Sequence, residues 1–330
     1  MMPRVALGAA LTRAEEARAA FALDVQYYLS LDPRQLPSRY LYDDLGSFLF
    51  EAICRLPWYA ITRAETRLLA AHGTKILDAA RPLGRIVELG CGSGEKLATL
   101  VSQPLLRRPS APELHLIDLS PTALAVSRRA LSSLDGVRVV THEATYEGGL
   151  IGIRNAARTE GRTLVLFLGS NIGNFDPPGA EAFLREVRAA LGPGDLFLLG
   201  ADLVKPEAVL RLAYDDPLGV TAAFNLNLLV RVNRELGGRF DLGSFAHSAR
   251  WNARESRVEM HLVSLRRQAV RVEAAELEFV LGEGESIWTE SSYKYEPIEL
   301  TRLVERPGFA SVAQWIDDQD RFALTLVSAV

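Results

Sequence analysis

The chain has 330 residues, of which 48% are hydrophobic, and its formal net charge is −4 at pH 7. This length fits one large domain or two domains that share the chain, and the composition is that of a soluble globular protein. Basic residues cluster only in short pairs such as Arg107-Arg108 and Arg266-Arg267. They form no stripe that could neutralise a phosphate backbone, so nucleic acid is not expected as a partner.

Membrane and metal signals are also missing from the sequence. No apolar run reaches the roughly 18 to 20 residues of a bilayer span, and "MMPRVALGAALTRAEEARAA" becomes a charged helical pattern too early for a signal peptide. Cys54 and Cys91 offer neither a disulfide framework nor metal-ligand spacing, and the five histidines form no H-E-x-x-H cluster. We expect a cytoplasmic monomer without a metal site and without membrane attachment.

Helical periodicity comes first along the chain. Apolar spacing predicts helices over about 14–31, 48–56 and 63–80, with the loop "LDPRQLPSRYLYDDLGS" between the first two. Short apolar strands then alternate with helices that begin near Gly94, Pro121 and Pro178. The strands are predicted at 85–89, 114–118, 137–142, 163–169 and 195–200. Continuous apolar strands joined by helical crossovers indicate a parallel sheet that is covered on both faces.

The alternation of strands and helices breaks after "ADLVKPE". Residues 204–235 have a helical pattern, residues 240–290 alternate as several strands do, and the C-terminal segment predicts a helix and two closing strands. We infer that the stretch near 204–294 is inserted into the α/β domain and packs with the N-terminal residues. The predicted α/β domain comprises 64–203 and 295–330, and the smaller α+β domain comprises 11–63 and 204–294.

Residues 86–96, "IVELGCGSGEK", join a strand to a helix through three glycines, Gly90, Gly92 and Gly94. Glycine has no Cβ and accepts positive φ, so a ligand can approach the backbone closely. A dinucleotide-binding turn has the spacing G-x-G-x-x-G, whereas this turn has G-x-G-x-G. With Glu88 before the first glycine, it resembles motif I of class I S-adenosylmethionine (SAM) methyltransferases. An acidic residue suits a ligand that carries a positive sulfonium.

The next strand supplies a second part of the predicted cofactor site. It ends at Asp118 in "LHLIDLS", where a carboxylate can accept hydrogen bonds from both ribose hydroxyls. Two alternatives remain open at this point, a tight turn in another α/β protein and an NAD-dependent dehydrogenase. The Pro-Gly turn in "LGPGDLFLLG" favours the methyltransferase, and a dehydrogenase would need a hydride-transfer site that we do not find.

Six motifs in order give the chain a closer resemblance, which runs from about Tyr40 to Lys294. They are "LYDDLGSFLFEAICRLPWYAITRAE", "VELGCGSGEK", "FLGSNIGNF", "ADLVKPEAVLRLAYDDPLGVTAAFNLNLLVRVNREL", "HSARWNARESRVEMHL" and "WTESSYKY". Together they resemble the histidine Nα-trimethyltransferases that begin ergothioneine biosynthesis. The resemblance implies a Rossmann-like class I methyltransferase sheet with a second, smaller α+β substrate-binding domain, and SAM as the co-substrate.

For the cofactor, the resemblance implies Gly90 and Lys96 at the first turn and Asp118 at the ribose. The family places an Asp-Phe pair near the adenine, and by position this pair becomes Thr145-Tyr146 here. Tyr146 can still stack on the base. Thr145 stands where the family has a carboxylate. Either a neighbouring glutamate accepts the hydrogen bond from the adenine amino group instead, or that hydrogen bond is lost.

For the substrate, the resemblance implies carboxylate contacts, amine contacts and an imidazole pocket. Asn174 and Tyr214 are implied to hold the carboxylate, and Tyr42 and the backbone of Gly169 are implied to lie near the amine. Tyr59, Glu290 and Ser292 are implied to hold the imidazole, with Phe50 and Met260 packed around the ring. Tyr42 is the candidate for positioning the amine, and no general base is assigned. Each of these roles has a structural alternative. The aromatic residues and Met260 would then only pack in the core, and Glu290 would form a salt bridge to Lys294.

The chemistry of histidine fits these side chains. A carboxylate on one ring nitrogen and a hydroxyl on the other would reject amino acids that cannot make both hydrogen bonds, so specificity would depend on Glu290 and Ser292. Methyl transfer to an amine is an in-line displacement that depends mainly on alignment and needs no metal. The expected reaction is trimethylation of the α-amino group of L-histidine to hercynine.

Some departures keep other functions open. The segment "WYAITR" has Ala60 and Ile61 where the family often has tyrosine and proline, which changes the border of the implied imidazole pocket. The first alternative is an N-methyltransferase of the same scaffold that acts on another amino acid such as tryptophan, or on a small amine. The second is a catalytically idle SAM-binding module.

Overall fold

The structure is a computed structural model that describes residues 12–102, 112–132, 137–156 and 160–330. Three features of the sequence analysis lie outside these residues. They are the segment considered for a signal peptide, the start of the smaller domain at residue 11, and the pair Arg107-Arg108. The helices are α1 Arg13–Leu29, α2 Asp44–Cys54, α3 Ile61–Ala79, α4 Glu95–Val101, α5 Pro121–Leu131, α6 Tyr146–Asn155, α7 Pro177–Ala190, α8 Glu207–Tyr214, α9 Val220–Leu236 and α10 Pro297–Glu305. The strands are β1 Leu83–Leu89, β2 Glu113–Asp118, β3 Val139–Glu143, β4 Arg162–Phe167, β5 Leu196–Asp202, β6 Phe245–Asn252, β7 Arg257–Ser264, β8 Gln268–Val272, β9 Leu277–Leu281, β10 Ser286–Tyr293, β11 Phe309–Asp317 and β12 Phe322–Ala329.

Seven strands form the central sheet in the order β11-β12-β5-β4-β1-β2-β3. The strands β1 to β5 run parallel, and β12 is antiparallel to both β5 and β11. The α/β class and the predicted strands are therefore confirmed. The strand order reverses at β1, which has β2 on one side and β4 on the other. In such sheets ligands bind beyond the carboxyl ends of the strands at the reversal, which is where the glycine turn lies.

The two faces of the sheet are covered by different helices. Side chains alternate along a strand, and Val87, Leu89, Val165 and Phe167 belong to a buried core shared with α6, α7 and α10. The alternate positions point to the opposite face, where α3 packs against β11 and β12. Glu88 is one of these alternate positions. Its carboxylate is therefore directed away from the apolar core of α6, α7 and α10.

Local sequence signals explain where the crossover helices begin. The side chains of Ser120 and Asp176 accept N–H groups in the first turns of α5 and α7, and each helix has proline in its first turn. Helix α6 is not among the predicted elements. Its first turn contains Gly148 and Gly149, which weaken the helical pattern, but Thr145 caps it by accepting the N–H of Gly148 at 3.1 Å.

The inserted region contains both helices and strands. The predicted helical stretch 204–235 is two helices, because Asp216 follows α8 and accepts the N–H groups of Leu218, Val220 and Thr221 at the start of α9. The predicted strands of 240–290 are present. They form a three-stranded sheet in the order β10-β7-β6 and the antiparallel pair β8-β9.

The chain divides into two compact units. The first joins the described residues up to Leu41 with Ala222–Ser248 and Met260–Glu290, and the second comprises Tyr42–Thr221, Ala249–Glu259 and Ser291–Val330. Within the first unit, Arg18 on α1 donates to the carbonyl of Glu235 on α9 at 2.7 Å. The domain boundaries given by the sequence remain a prediction. None of the helices in the described ranges is both long and apolar enough to cross a bilayer.

Candidate active site

The glycine turn follows β1 at the reversal of the sheet. The φ angles of Gly90, Gly92 and Gly94 are +75°, +49° and +75°. A Cβ on Gly90 would lie 3.1 Å from Tyr146 Oη and 3.3 Å from Asn171 Nδ2, so this position is confined as well as left-handed. The turn can therefore bring its backbone close to a ligand only if the residue is glycine.

Asp118 ties the turn to the end of β2. Its Oδ2 accepts the N–H of Gly92 at 3.2 Å and its Oδ1 accepts the N–H of Ser120 at 2.9 Å. Burial raises the pKa of this carboxyl, and the backbone hydrogen bonds oppose the shift. The residue thus stands beside the turn, as a ribose-binding carboxylate would.

Glu88 is a buried carboxylate beside the same turn. It is 2% exposed, and its Oε2 has no hydrogen-bond partner among the described residues. Burial raises its pKa to about 8, although the positive charge of Lys96 opposes the shift. Burying a carboxylate without a partner is costly, and a cationic ligand would offset that cost. SAM carries a sulfonium and an ammonium group, so the residues of this site fit SAM.

Glu65 on α3 is a functional candidate that was not predicted. It is fully buried, and its two oxygens accept the N–H of Gly169 at 2.9 and 2.8 Å. Its Oε2 lies 2.7 Å from Nζ of Lys96. Burial lowers the pKa of Lys96, but attraction to Glu65 and hydrogen bonding with it outweigh burial, so the net pKa is raised. Lys96 is therefore a charged group held between the glycine turn and the end of β4.

A cavity of about 640 Å³ opens at these residues. This volume lies in the range of small-molecule sites. Eight predicted site residues line it, namely Phe50, Tyr59, Glu88, Gly90, Gly92, Gly94, Lys96 and Gly169. Asn171 also lines the cavity, although the sequence motif "SNIGNF" drew attention only to Asn174. The structure thus brings the glycine turn together with two of the aromatic residues that the resemblance implies for the substrate.

Aromatic side chains continue from the cavity wall. Tyr42, Phe50, Tyr59 and Tyr214 contact one another in sequence, with ring centroids 5.5, 6.3 and 6.1 Å apart and near-perpendicular planes. Burial raises the pKa of Tyr59 well above its ordinary value, so this hydroxyl stays neutral. The π faces and neutral hydroxyls of such a row can accommodate an organic cation.

Tyr214 is also part of a buried polar cluster. Its Oη lies 2.8 Å from Ser292 Oγ, and Lys294 Nζ donates to these two oxygens at 2.8 and 2.9 Å. Lys294 Nζ is 3.0 Å from Oδ2 of Asp202, whose Oδ1 is 2.6 Å from Nζ of Lys205. Burial lowers the pKa of Lys294, but the charge of Asp202, the neighbouring Tyr214 and the hydrogen bonds to both together outweigh burial, so the net pKa is raised. The ion-pair partner of Lys294 is therefore Asp202 at the end of β5.

Asn174 ends a short 3-10 helix, Asn171–Asn174, that follows β4. A Cβ on Gly173 would lie 2.7 Å from the carbonyl oxygen of Tyr293, so this turn packs directly against the end of β10. The Oγ of Ser170 accepts the N–H of Asp202 at 2.9 Å. Asn174 is half-buried, and its turn is held close to the strand end that carries Ser292.

The implied adenine residues lie at the start of α6. Thr145 is exposed, and its hydroxyl is occupied as the helix cap. Tyr146 is half-buried, with its ring in edge contact with Phe167 and Phe183 at centroid distances of 5.1 and 5.9 Å. Burial raises the pKa of Tyr146. Tyr146 is thus fixed beside Gly90, which is compatible with contact to a base.

Met260 and Glu290 belong to the other compact unit. Met260 is buried, and its carbonyl oxygen accepts the hydroxyl of Thr289 at 3.0 Å. Glu290 is also buried, and its carbonyl oxygen accepts Nε1–H of Trp288 at 2.9 Å. Their roles in substrate recognition stay predictions.

In the parts of the chain that the structure describes, no three His, Cys, Asp or Glu side chains are grouped to hold a metal ion.

Comparison with known proteins identifies the family. A family model described as "Histidine-specific methyltransferase, SAM-dependent" matches residues 21–329. "Histidine N-alpha-methyltransferase" of Mycobacterium tuberculosis is 39% identical over 94% of this chain and 95% of that protein. The protein of the same name from Mycolicibacterium smegmatis is 38% identical over 95% of this chain and 96% of its own length.

A fungal relative matches over a smaller share of its own length. "Ergothioneine biosynthesis protein 1" of Neurospora crassa is 30% identical over 86% of this chain and 32% of that protein. The family match spans the glycine turn, the cavity and the Tyr214 cluster. The chain therefore belongs to the SAM-dependent, histidine-specific methyltransferases.

Proposed function

We propose that the protein transfers three methyl groups in succession from SAM to the α-amino nitrogen of L-histidine and releases hercynine for ergothioneine biosynthesis. The observation that carries this proposal is the cavity in which the glycine turn and Glu88 meet Lys96, Gly169 and two aromatic side chains. A cation-seeking carboxylate and an aromatic wall in one cavity suit a cationic methyl donor and an amine acceptor. The names of the relatives support the choice of histidine and of this pathway.

The proposed chemistry requires alignment more than acid-base machinery. SAM supplies a methyl group on a positively charged sulfur. The neutral α-amino nitrogen attacks that methyl carbon as the carbon–sulfur bond breaks, and sulfur leaves with the bonding electrons as a thioether. In each of the first two rounds the nitrogen loses a proton and regains its lone pair. A site that holds nitrogen, carbon and sulfur in line supplies most of the acceleration.

The proposed residue roles follow the resemblance. Tyr42 and the backbone of Gly169 would position the amine, and Asn174 and Tyr214 would hold the carboxylate. The edge-to-face row from Tyr42 to Tyr214 supports the placement of a growing quaternary ammonium, since aromatic faces attract such cations. The imidazole is assigned to Tyr59, Glu290 and Ser292, packed by Phe50 and Met260.

Cofactor residues are proposed on the same basis. The turn Gly90, Gly92 and Gly94 would admit the methionine part of SAM, with Glu88 and Lys96 facing its charges. Asp118 would bind the ribose, and Thr145 and Tyr146 would border the adenine. The confined Gly90 and the orphaned oxygen of Glu88 support this placement.

The protein is further proposed to act as a cytoplasmic monomer on a small molecule, apart from membranes and nucleic acid. Its net charge of −4 supports the last point, because it gives no attraction for a polyanion. The smaller domain, 11–63 and 204–294, is proposed to bind the amino acid. Hydrogen exchange measured with and without L-histidine tests whether this domain binds the amino acid. Light scattering tests whether the protein is a monomer.

A substrate screen tests the proposed function. The purified protein is incubated with SAM and each of the twenty amino acids separately, and product masses are followed. We expect a trimethylated product from L-histidine as the dominant species. Turnover of tryptophan or another amino acid in preference to histidine would mean that histidine is not the substrate. SAM binding without any turnover would indicate an idle SAM-binding module.

A further inference from the structure

The carboxylate of Glu65 joins two parts of the cavity wall. Both of its oxygens accept the N–H of Gly169, at 2.9 and 2.8 Å, and its Oε2 also lies 2.7 Å from Nζ of Lys96. Lys96 and Gly169 line the cavity, whereas Glu65 is fully buried. Glu65 therefore acts on the cavity through these two residues.

The two partners of Glu65 belong to different sides of the site. Lys96 is in the first turn of α4, directly after the glycine turn that is proposed to admit the methionine part of SAM. Gly169 follows β4, and its backbone is proposed to position the amine of the substrate. A Cβ on Gly169 would lie 2.8 Å from Nζ of Lys96, so no side chain fits between them. The methyl-donor side and the amine side therefore meet at one carboxylate.

The loop that Glu65 holds has an unusual backbone. Gly169 has a φ of +79°, and the next residue, Ser170, has a φ of +62°. A residue other than glycine keeps a positive φ only where its surroundings hold it there. The hydrogen bonds from Gly169 to Glu65 supply part of that hold, and the bond from the N–H of Asp202 to Ser170 Oγ supplies another part.

We infer that Glu65 is a positioning residue that sets the alignment between the methyl donor and the amine, because it holds Lys96 on one side and Gly169 on the other. This inference rests on the proposed function. Methyl transfer is an in-line displacement, and a misplacement of about 1 Å slows such a reaction by about a hundredfold. SAM and histidine each keep their other contacts when Glu65 is replaced. The rate of transfer should therefore fall more than the affinity for either ligand.

Asp195 offers a matched control at the other end of β4. It is a buried carboxylate that accepts the N–H groups of Thr163 at 2.9 Å and Gly192 at 2.8 Å. Thr163 lies at the amino end of β4, whereas ligands bind beyond the carboxyl ends of the strands. Glu65→Gln and Asp195→Asn thus both convert a buried carboxylate that holds backbone N–H groups into an amide. Only Glu65→Gln makes this change beside the cavity.

The test compares Glu65→Gln with Asp195→Asn and the unchanged protein. Calorimetry gives the affinity for SAM, the affinity for L-histidine with S-adenosylhomocysteine present, and the number of binding sites per chain. Rapid-quench single turnovers, with protein in excess over SAM and with saturating histidine, give the rate of methyl transfer per site. For Glu65→Gln we expect this rate to fall at least about tenfold and each affinity to change by less than about threefold. Asp195→Asn keeps the rate and both affinities.

Glu65→Asp takes the place of Glu65→Gln if the latter does not fold. It keeps the negative charge, but its side chain is one methylene shorter, so its carboxylate cannot keep both Lys96 and Gly169. We expect the same excess of rate loss over affinity loss. Counting the binding sites removes any contribution from unfolded protein to the measured rates.

Each outcome has a separate meaning. Methylation of histidine by the unchanged protein, together with a transfer rate in the Glu65 variant that falls no further than the affinities, would overturn the inference and leave the proposed function intact. Equal losses of rate in the Glu65 variant and Asp195→Asn would also overturn it, because they would indicate a general structural role for buried carboxylates. No reaction of the unchanged protein with histidine would instead overturn the proposed function itself.

Discussion

Gly200 on β5 leaves the space that the carboxylate of Glu65 occupies. A Cβ on Gly200 would lie 2.0 Å from Glu65 Oε1. The same carboxylate accepts the N–H of Gly169 and pairs with Lys96, so it cannot turn away without giving up these partners. A glycine within a strand therefore permits a buried acid from a distant helix to fix the loop beside the cavity.

Replacement of Gly200 by alanine is expected to destabilise the protein by about 1–3 kcal/mol, as overpacking of a buried site does. It should also raise KM for histidine, because Glu65 then releases the Gly169 loop. Urea unfolding and steady-state kinetics measure the two effects. Gly152→Ala is the control, since Gly152 is an exposed helical glycine with open space at its Cβ position. A Gly200→Ala protein as stable and as active as this control would contradict the role of Glu65.

Replacement of Glu65 by glutamine leaves Lys96 without its anion. Breaking a buried pair from one side costs about 3–5 kcal/mol, and the partial exposure of Lys96 places the expected loss near the lower limit. Lys96→Met removes the other partner. In a double-mutant cycle by urea unfolding, the double variant should be more stable than the sum of the single losses predicts. Strict additivity would show that the two charges do not interact.

The cofactor affinity should depend on pH through Glu88. Its pKa in the folded protein is raised to about 8 from 4.5, so the folded state binds more protons than the unfolded state between these values. The free energy of unfolding therefore falls as pH rises through this window. Ionised Glu88 attracts a cation, so affinity for SAM should rise by up to about tenfold per pH unit until near pH 8. Calorimetric titrations of the unchanged protein and of Glu88→Gln check this, and the same slope in both would contradict it.

Substitution at Thr145 separates helix capping from cofactor contact. Thr145→Ala removes the cap of α6 and should cost about 1 kcal/mol in the free energy of unfolding. Thr145→Asp keeps an N-cap acceptor and restores the carboxylate that the family places near the adenine amino group. We expect Thr145→Asp to retain stability and to tighten SAM binding, as measured by thermal unfolding and calorimetry. Weaker SAM binding by Thr145→Asp than by Thr145→Ala would place the adenine elsewhere.

The parts of the site that the sequence predicted are local in the chain. The glycine turn follows a strand directly, and Asp118 ends the next strand, so periodicity alone places both at one edge of the sheet. Glu65 lies in "ITRAETRLLAA", which has the pattern of a partly exposed helix. Its burial depends on Gly200, which is far away in the chain, and no local pattern reports such a pairing.

The ion-pair partner of Lys294 likewise could not be predicted from the neighbouring sequence. A lysine between two tyrosines suggests a half-exposed strand, and Glu290, four positions earlier in the same motif, was the partner that the sequence suggested. The structure pairs it with Asp202 instead, because the end of β5 lies beside the end of β10. The fold thus follows from the period of apolar residues, whereas the buried charges follow from contacts that only the folded sheet creates.

The most direct measurement is the identity of the product formed from SAM and L-histidine by the unchanged protein. Tandem mass spectrometry locates the added methyl groups on the α-nitrogen or on the ring. We predict three methyl groups on the α-nitrogen and an unmodified imidazole. Methylation of the ring, or no product although SAM binds, would contradict the account.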